Sequence, residues 1–155
     1  MKIQLSPTRI IADPSVIVIW QEQGPDVQIV MDLKNLTFAP NSLEVIYAFH
    51  VLDHFYIEEA QKALNNWFQC LRPRGIVFSV VDNFEFLARS FVGGDISIED
   101  VNKNFVHPSQ YTVDNSLVLF RSAGFPEPAI RMWYGGVPNL FTAQNHELVM
   151  SADKL

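Results

Sequence analysis

The chain has 155 residues, of which 48% are hydrophobic and 18% charged, with a formal net charge of −6. This composition predicts one soluble globular domain spanning residues 1–155. The negative charge argues against binding to nucleic acid or an anionic membrane surface, and no window reaches the roughly 20 apolar residues of a membrane span. The single cysteine, Cys70, excludes an internal disulfide and a cysteine-based zinc site. Because the N-terminus also lacks a signal-peptide pattern, we expect a cytoplasmic protein.

Short apolar runs bounded by proline, glycine or asparagine predict the strands of the first half. The clearest, Val16–Trp20, reads VIVIW, and a continuous run rich in β-branched residues is typical of a strand buried on both faces. The predicted strands are Lys2–Leu5, Val16–Trp20, Val27–Met31, Leu43–Phe49 and Ile76–Val81.

A change of apolar period between Ile57 and Leu71 predicts an amphipathic helix. Pro73 and Gly75 are expected to stop it. A helical turn is predicted at Phe84–Phe91, followed by a loop or lid that runs from Gly93 to Asn104.

The last third of the sequence predicts one helix and two strands. Thr112 can cap a helix that ends at Gly124 in a left-handed conformation. The strands Ile130–Tyr134 and Glu147–Ser151 are joined by a loop without a helix, so we expect them to pair antiparallel. The predicted fold class is therefore α/β, an open and mostly parallel sheet with helices on both faces and an antiparallel terminal strand pair.

Ligands of open parallel sheets bind beyond the carboxyl ends of the strands. Each residue predicted at these strand ends could bind a ligand or could have a purely structural role. Asp32 could accept a hydrogen bond from a base or cap the next turn, and its spacing alone favours the cap. Glu22 could bind ribose hydroxyls or be an exposed turn residue, and Trp20 could stack on a base or lie in the core. His107 and Tyr111 could line a substrate pocket or lie in a surface loop. For His146 the sequence suggests no partner.

His50 and His54 lie four residues apart, a spacing that on a helix could hold a metal ion. A strand is predicted to end near His50, however, and no further cluster of histidine, cysteine or carboxylate supports a site, so the sequence predicts no metal. The motifs G-x-S-x-G, G-x-x-x-x-G-K-[ST] and G-x-G-x-x-G are absent, which excludes nucleophile-elbow hydrolases, P-loop proteins and ordinary dinucleotide enzymes.

Several short motifs follow one another in a specific order. They are Asp32-Leu33, Asn41-Ser42, His50-Val51-Leu52-Asp53-His54-Phe55, Leu71-Arg72-Pro73-Arg74-Gly75, Val81-Asp82 and Ala123-Gly124-Phe125. In these residues the chain resembles the class I S-adenosylmethionine-dependent methyltransferases, in particular the small ones with a very short first crossover.

The resemblance implies the cofactor S-adenosylmethionine and a set of contacts for it. Asp32 would read the adenine, and Phe49-His50 would pass the methionine arm. The family's glycine loop falls at Ser6-Pro7-Thr8, where no glycine remains, and Gln21 or Glu22 is nearest to the family's ribose-binding acid. Arg74 replaces the first glycine of the family's Pro-Gly-Gly. The implied cofactor-binding residues are Ser6, Pro7, Thr8, Glu22, Asp32, Leu33, Phe49 and His50.

Two functions follow as hypotheses. The first is methyl transfer by direct displacement to an unknown acceptor, in which proximity and orientation supply most of the catalysis and His54, His107 or Tyr111 accepts a proton. The second is a binding or regulatory protein on an inactive scaffold that has lost the cofactor, acting alone, as an oligomer or beside an active subunit. Family resemblance favours the first, and the missing glycine loop supports the second.

Overall fold

The computed structural model describes residues 1–104, 107–127, 130–133, 136–137, 141–142, 144 and 147–155. The larger elements, in chain order, are β1 (Lys2–Leu5), β2 (Val16–Trp20), β3 (Ile29–Val30), β4 (Leu43–Phe49), a 3₁₀ turn (Leu52–His54), α1 (Ile57–Cys70), β5 (Leu71–Asp82), α2 (Phe84–Gly93), α3 (Ile98–Asn104), α4 (Val113–Ser122), β6 (Ile130–Trp133), β7 (Gly136–Val137), β8 (Phe141–Thr142) and β9 (Glu147–Asp153). Among these described residues, no helix is long and apolar enough to cross a membrane.

Seven strands form one sheet in the order β3-β2-β1-β4-β5-β9-β6. The first five strands pair in parallel, whereas β9 pairs antiparallel with both β5 and β6. The predicted fold class, a mostly parallel sheet with an antiparallel terminal pair, is confirmed. Because β1 is central and strand order reverses on its two sides, the carboxyl ends of β1, β2 and β4 meet at the switch point, where such sheets bind ligands.

Successive side chains of a strand point to opposite faces of the sheet, and the hydrophobic core is accordingly divided into two clusters. One face carries Ile3, Ile46 and Val77, and helices α1 and α4 contribute Trp67 and Phe120 to the same cluster. On the other face the described core consists of strand residues and Ile11 of the first connection, and Tyr47 stacks on Phe78 with ring centroids 5.4 Å apart. Within the described residues, the side chains that helices add to these clusters therefore lie on the first face.

Trp67 anchors α1 to the sheet. Its side chain is fully buried, and its indole Nε1 donates to the carbonyl of Leu33 at 2.8 Å. Ala60, Ala63 and Leu64 share its face of the helix and are fully buried as well. The predicted apolar stripe is thus the face that packs on the sheet.

Three predicted boundaries were wrong. Strand β5 begins at Leu71, directly after α1, because Leu71 pairs with Leu43 before the register shifts. Strand β3 is limited to Ile29–Val30 at the sheet edge. The predicted lid contains helix α3, which begins where Ser97 Oγ accepts from the N–H of Asp100 at 3.1 Å. Tyr134 and His146 lie outside the described residues.

Candidate active site

The connection after β1 is organised by a buried glutamine. Gln4 has no exposed surface, and its Oε1 accepts from the N–H groups of Ile10 and Ile11 at 3.1 and 2.7 Å. Its Nε2 donates to Ser6 Oγ and, at 2.7 Å, to the carbonyl of Thr8. One side chain therefore folds residues 6–11 into a compact loop, and no helix begins in this connection between β1 and β2.

Most backbone N–H groups of this loop already have acceptors. Besides Ile10 and Ile11, the N–H of Ser6 donates to the carbonyl of Ile19 at 3.2 Å, and that of Arg9 donates to Asp26 Oδ2 at 3.0 Å. Pro7 has no N–H. Within the described residues, Thr8 carries the one N–H of the loop without an acceptor.

A cavity of about 250 Å³ lies at the carboxyl ends of β1, β2 and β4. Its lining consists of Ser6, Pro7, Thr8, Ile10, Trp20, Phe49, His50 and His54. Five of the predicted cofactor residues thus meet at one place, together with the proton-acceptor candidate His54. Trp20, for which the sequence left stacking and core packing open, supplies the largest aromatic surface of the lining.

The remaining three predicted cofactor residues, Glu22, Asp32 and Leu33, do not line this cavity. The exposed Asp32 caps its own turn, since its Oδ1 accepts from the N–H of Lys34 at 2.9 Å. Leu33 is fully buried in the core, and Glu22 is exposed. Of the two roles considered for Asp32, the contact seen in the structure is that of a turn cap.

For Tyr111 the sequence left a substrate pocket and a surface loop as alternatives; its side chain is 1% exposed, and its hydroxyl donates to the carbonyl of Leu52 at 3.1 Å. Burial raises the pKa of the Tyr111 hydroxyl above its ordinary value. A group so enclosed packs the core and cannot accept a proton from a bound molecule.

His50 lies at the centre of a polar cluster beside the cavity. Its backbone is left-handed, with φ +49°, and its N–H donates to the carbonyl of Val80 at 2.9 Å. Its Nδ1 is 3.1 Å from Asp53 Oδ2 and 3.9 Å from Asp82 Oδ1, and its Nε2 is 2.8 Å from Glu147 Oε1. Non-glycine residues in this conformation are strained and often found in functional sites.

Two opposing effects set the charge of the His50 ring. Desolvation by burial lowers the pKa of the ring. Hydrogen bonds to Asp53 and Glu147 raise it by more than burial lowers it, so that the pKa of His50 rises to about 10. His50 is therefore protonated at neutral pH and holds two carboxylates at once.

The two other histidine candidates pack on each other next to this cluster. The rings of His54 and His107 meet edge to face with centroids 4.6 Å apart. His107 Nε2 also lies 3.6 Å from Asp82 Oδ2. Desolvation, and then the nearby His107, lower the pKa of the exposed His54, which favours its neutral, proton-accepting form.

Sequence reasoning missed three residues of this region. Gln4 read as an ordinary strand residue, Asp53 as part of the His50–His54 segment, and Glu147 as the start of a strand 97 positions from His50. A buried polar residue in a central strand was the available signal for Gln4, since such a side chain must find partners.

Comparisons with known proteins agree with this fold. The model of a methyltransferase domain family matches residues 8–79. This match, over a little less than half of the chain, is consistent with the resemblance to the class I S-adenosylmethionine-dependent methyltransferases. Among curated proteins, none matches the sequence significantly.

Solved methyltransferase structures share the fold at low identity. A Thermotoga maritima protein described as a possible histamine N-methyltransferase is 17% identical with a TM-score of 0.57, covering 84% of this chain and 65% of its own. A methyltransferase candidate from Bacillus halodurans is 9% identical with a TM-score of 0.65, covering 99% and 91%. An O-methyltransferase candidate from Nostoc punctiforme is 14% identical with a TM-score of 0.60, covering 92% and 46%. The chain thus spans slightly less than two thirds of the length of the first of these structures and less than half of the last.

Proposed function

We propose that this chain is a methyltransferase-family domain that has lost the family's cofactor contacts and serves as a binding or regulatory protein. The observation that carries the proposal is the loop after β1, whose N–H groups are accepted by Gln4, Asp26 and Ile19. A glycine loop binds an anionic group through free backbone N–H groups that approach it closely. Here one such N–H, that of Thr8, is free within the described residues.

The other two expected contacts do not supply a replacement. The resemblance implies that Asp32 accepts a hydrogen bond from the adenine. In the structure its Oδ1 accepts from the N–H of Lys34, and the residue lies outside the cavity lining. Glu22, nearest to the expected ribose acid, lies outside it too. A cavity of about 250 Å³ is also smaller than the roughly 300–1,000 Å³ of sites for drug-sized ligands. The described residues therefore do not fit S-adenosylmethionine in the manner that the family resemblance implies.

Calorimetric titration of the full chain with S-adenosylhomocysteine and S-adenosylmethionine tests this proposal. We expect no saturable binding of either compound up to 1 mM. A dissociation constant of 1 mM corresponds to a binding free energy of about −4 kcal/mol, so any binding would be weaker than that. Saturable binding below that concentration overturns the proposal.

The second candidate function is active methyl transfer, and one observation favours it. The cavity at the carboxyl ends of β1, β2 and β4 brings together Trp20, Phe49 and His54, an aromatic lining beside a histidine whose pKa is lowered. In this function the cofactor would supply an electrophilic methyl group, and His54 would accept the proton of a hydroxyl or amine acceptor.

A matched pair of variants separates the two functions. If the cofactor binds in the cavity, Trp20→Ala should weaken its binding at least tenfold, because the largest aromatic surface of the lining is lost. Trp133→Ala is the control, since Trp133 lies on β6 and does not line this cavity. Equal affinities in both variants would exclude the cavity as the cofactor site.

A further inference from the structure

We infer that His50, Asp53 and Asp82 form a binding site for a divalent transition-metal cation. The inference rests on the geometry of these side chains and does not depend on the proposed function. Each residue offers one ligand atom, and the three atoms lie within 4.8 Å of one another. Ligands about 2.0–2.2 Å from one ion are separated by roughly 3–3.5 Å, so small side-chain movements would bring all three onto one ion.

Asp53 gives the independent indication of a missing partner. Its side chain is 1% exposed. Its Oδ2 lies 3.1 Å from His50 Nδ1 and 3.4 Å from the N–H of Asp82, which places the carboxylate inside the cluster. Its other oxygen, Oδ1, is buried and has no hydrogen-bond partner. A buried carboxylate oxygen without a donor is costly, and a cation bound there would remove that cost.

Charge in the cluster also favours a cation. Asp53, Asp82 and Glu147 surround the single ring of His50. Three carboxyl groups thus face one imidazole, an arrangement whose local field favours a cation.

Glu147 has the position of a residue that orients a metal-bound histidine. When Nδ1 of an imidazole binds a metal, the opposite N–H commonly donates to a carboxylate, which fixes the ring. His50 has this arrangement, with Nδ1 facing Asp53 and Asp82 and Nε2 lying 2.8 Å from Glu147 Oε1. The cation would take the place of the proton that Nδ1 carries in the metal-free protein, and that proton would be released to solvent. Glu147 would thus act as a positioning residue.

The ligand types indicate the class of ion. One imidazole nitrogen and two carboxylate oxygens suit Zn²⁺, Fe²⁺ or Mn²⁺, whereas Mg²⁺ and Ca²⁺ prefer oxygen ligands. Three protein ligands leave a coordination position open. Since His50 also lines the cavity, an anionic or carbonyl-bearing molecule in the cavity could occupy that position.

Titration of the metal-stripped, untagged full chain with Zn²⁺ tests the site. We expect one equivalent to bind, and Asp53→Asn and Asp82→Asn each to weaken binding at least tenfold. Glu147→Gln should weaken it by about tenfold, the usual lower effect of losing an orienting carboxylate. Glu85→Gln is the control, because this exposed carboxylate pairs with Arg89 on α2, and it should leave the affinity unchanged.

A second measurement keeps the test decisive if a variant fails to fold. Anomalous diffraction from wild-type crystals soaked in Zn²⁺ should show an ion within about 2.5 Å of Asp53 and His50. An ion bound elsewhere, for example on His54 and His107, overturns the inference. Zn²⁺ affinity that is unchanged in folded Asp53→Asn protein overturns it as well.

Discussion

Replacing Gln4 with methionine removes four hydrogen bonds while keeping a side chain of similar length. The amide of Gln4 donates to Ser6 Oγ and the carbonyl of Thr8 and accepts from the N–H groups of Ile10 and Ile11. The methionine thioether replaces none of these bonds effectively. We therefore expect the loop after β1 to lose its organisation and the protein to lose stability.

The size of the effect depends on which groups water can reach. The N–H of Ile11 is buried, and leaving such a group unpaired costs about 1–3 kcal/mol. The bonds to Thr8 and Ile10 are partly buried, and each contributes roughly 0.5–1.5 kcal/mol. Gln4→Met should thus lower the free energy of unfolding by about 2–6 kcal/mol in total.

Urea denaturation followed by circular dichroism measures this change, and hydrogen exchange at the Ile11 amide shows whether the loop has opened. Gln61→Met is the matched control, because Gln61 lies on the solvent side of α1 and bonds Asn65 within the helix. Its effect should stay within about 0.5 kcal/mol. A Gln4→Met effect as small as that of the control, with the Ile11 amide still protected, would refute the role assigned to Gln4.

Three further predictions concern the scaffold. Trp67→Ala should cost about 3–5 kcal/mol in urea denaturation, because the fully buried indole would leave a cavity; a loss below 1 kcal/mol would contradict its place in the core. Arg74→Gly should raise the free energy of unfolding by about 0.5–1 kcal/mol, since the exposed Arg74 has φ +63° and glycine adopts this conformation without strain; destabilisation would show that its side chain makes a needed contact. Burial raises the pKa of the Cys70 thiol, so at pH 8 the thiol stays protonated and native protein should react with Ellman's reagent far more slowly than urea-unfolded protein. Equal rates would show that Cys70 is accessible.

Local sequence was sufficient where packing repeats over several residues. The runs Val16–Trp20 and Leu43–Phe49 were predicted with the bounds they have in the structure, because apolar residues make up all of the first strand and all but Glu44 of the second. Helix α1 was predicted to within one residue, since its apolar stripe is its packing face. The left-handed Gly124 was also predicted, and its φ is +106°.

Elements without such repeats were not predictable from the sequence. Helix α3 is polar, and its start depends on a local hydrogen bond between Ser97 and Asp100. The early start of β5 at Leu71 depends on pairing with Leu43, a contact between distant parts of the chain. Propensity and periodicity carry no information about such pairings.

The sequence by itself determined the class of fold, the family resemblance and the edge of the sheet where a site should lie, because each follows from apolar patterning and the order of short motifs. The tertiary structure alone decided what the residues at that edge do. It directs Gln4 into the loop after β1, places the Asp32 carboxylate against the backbone of its own turn, and places His50 against Asp53, Asp82 and Glu147. These contacts join residues up to 97 positions apart, and they depend on burial and strand order, which no local pattern encodes.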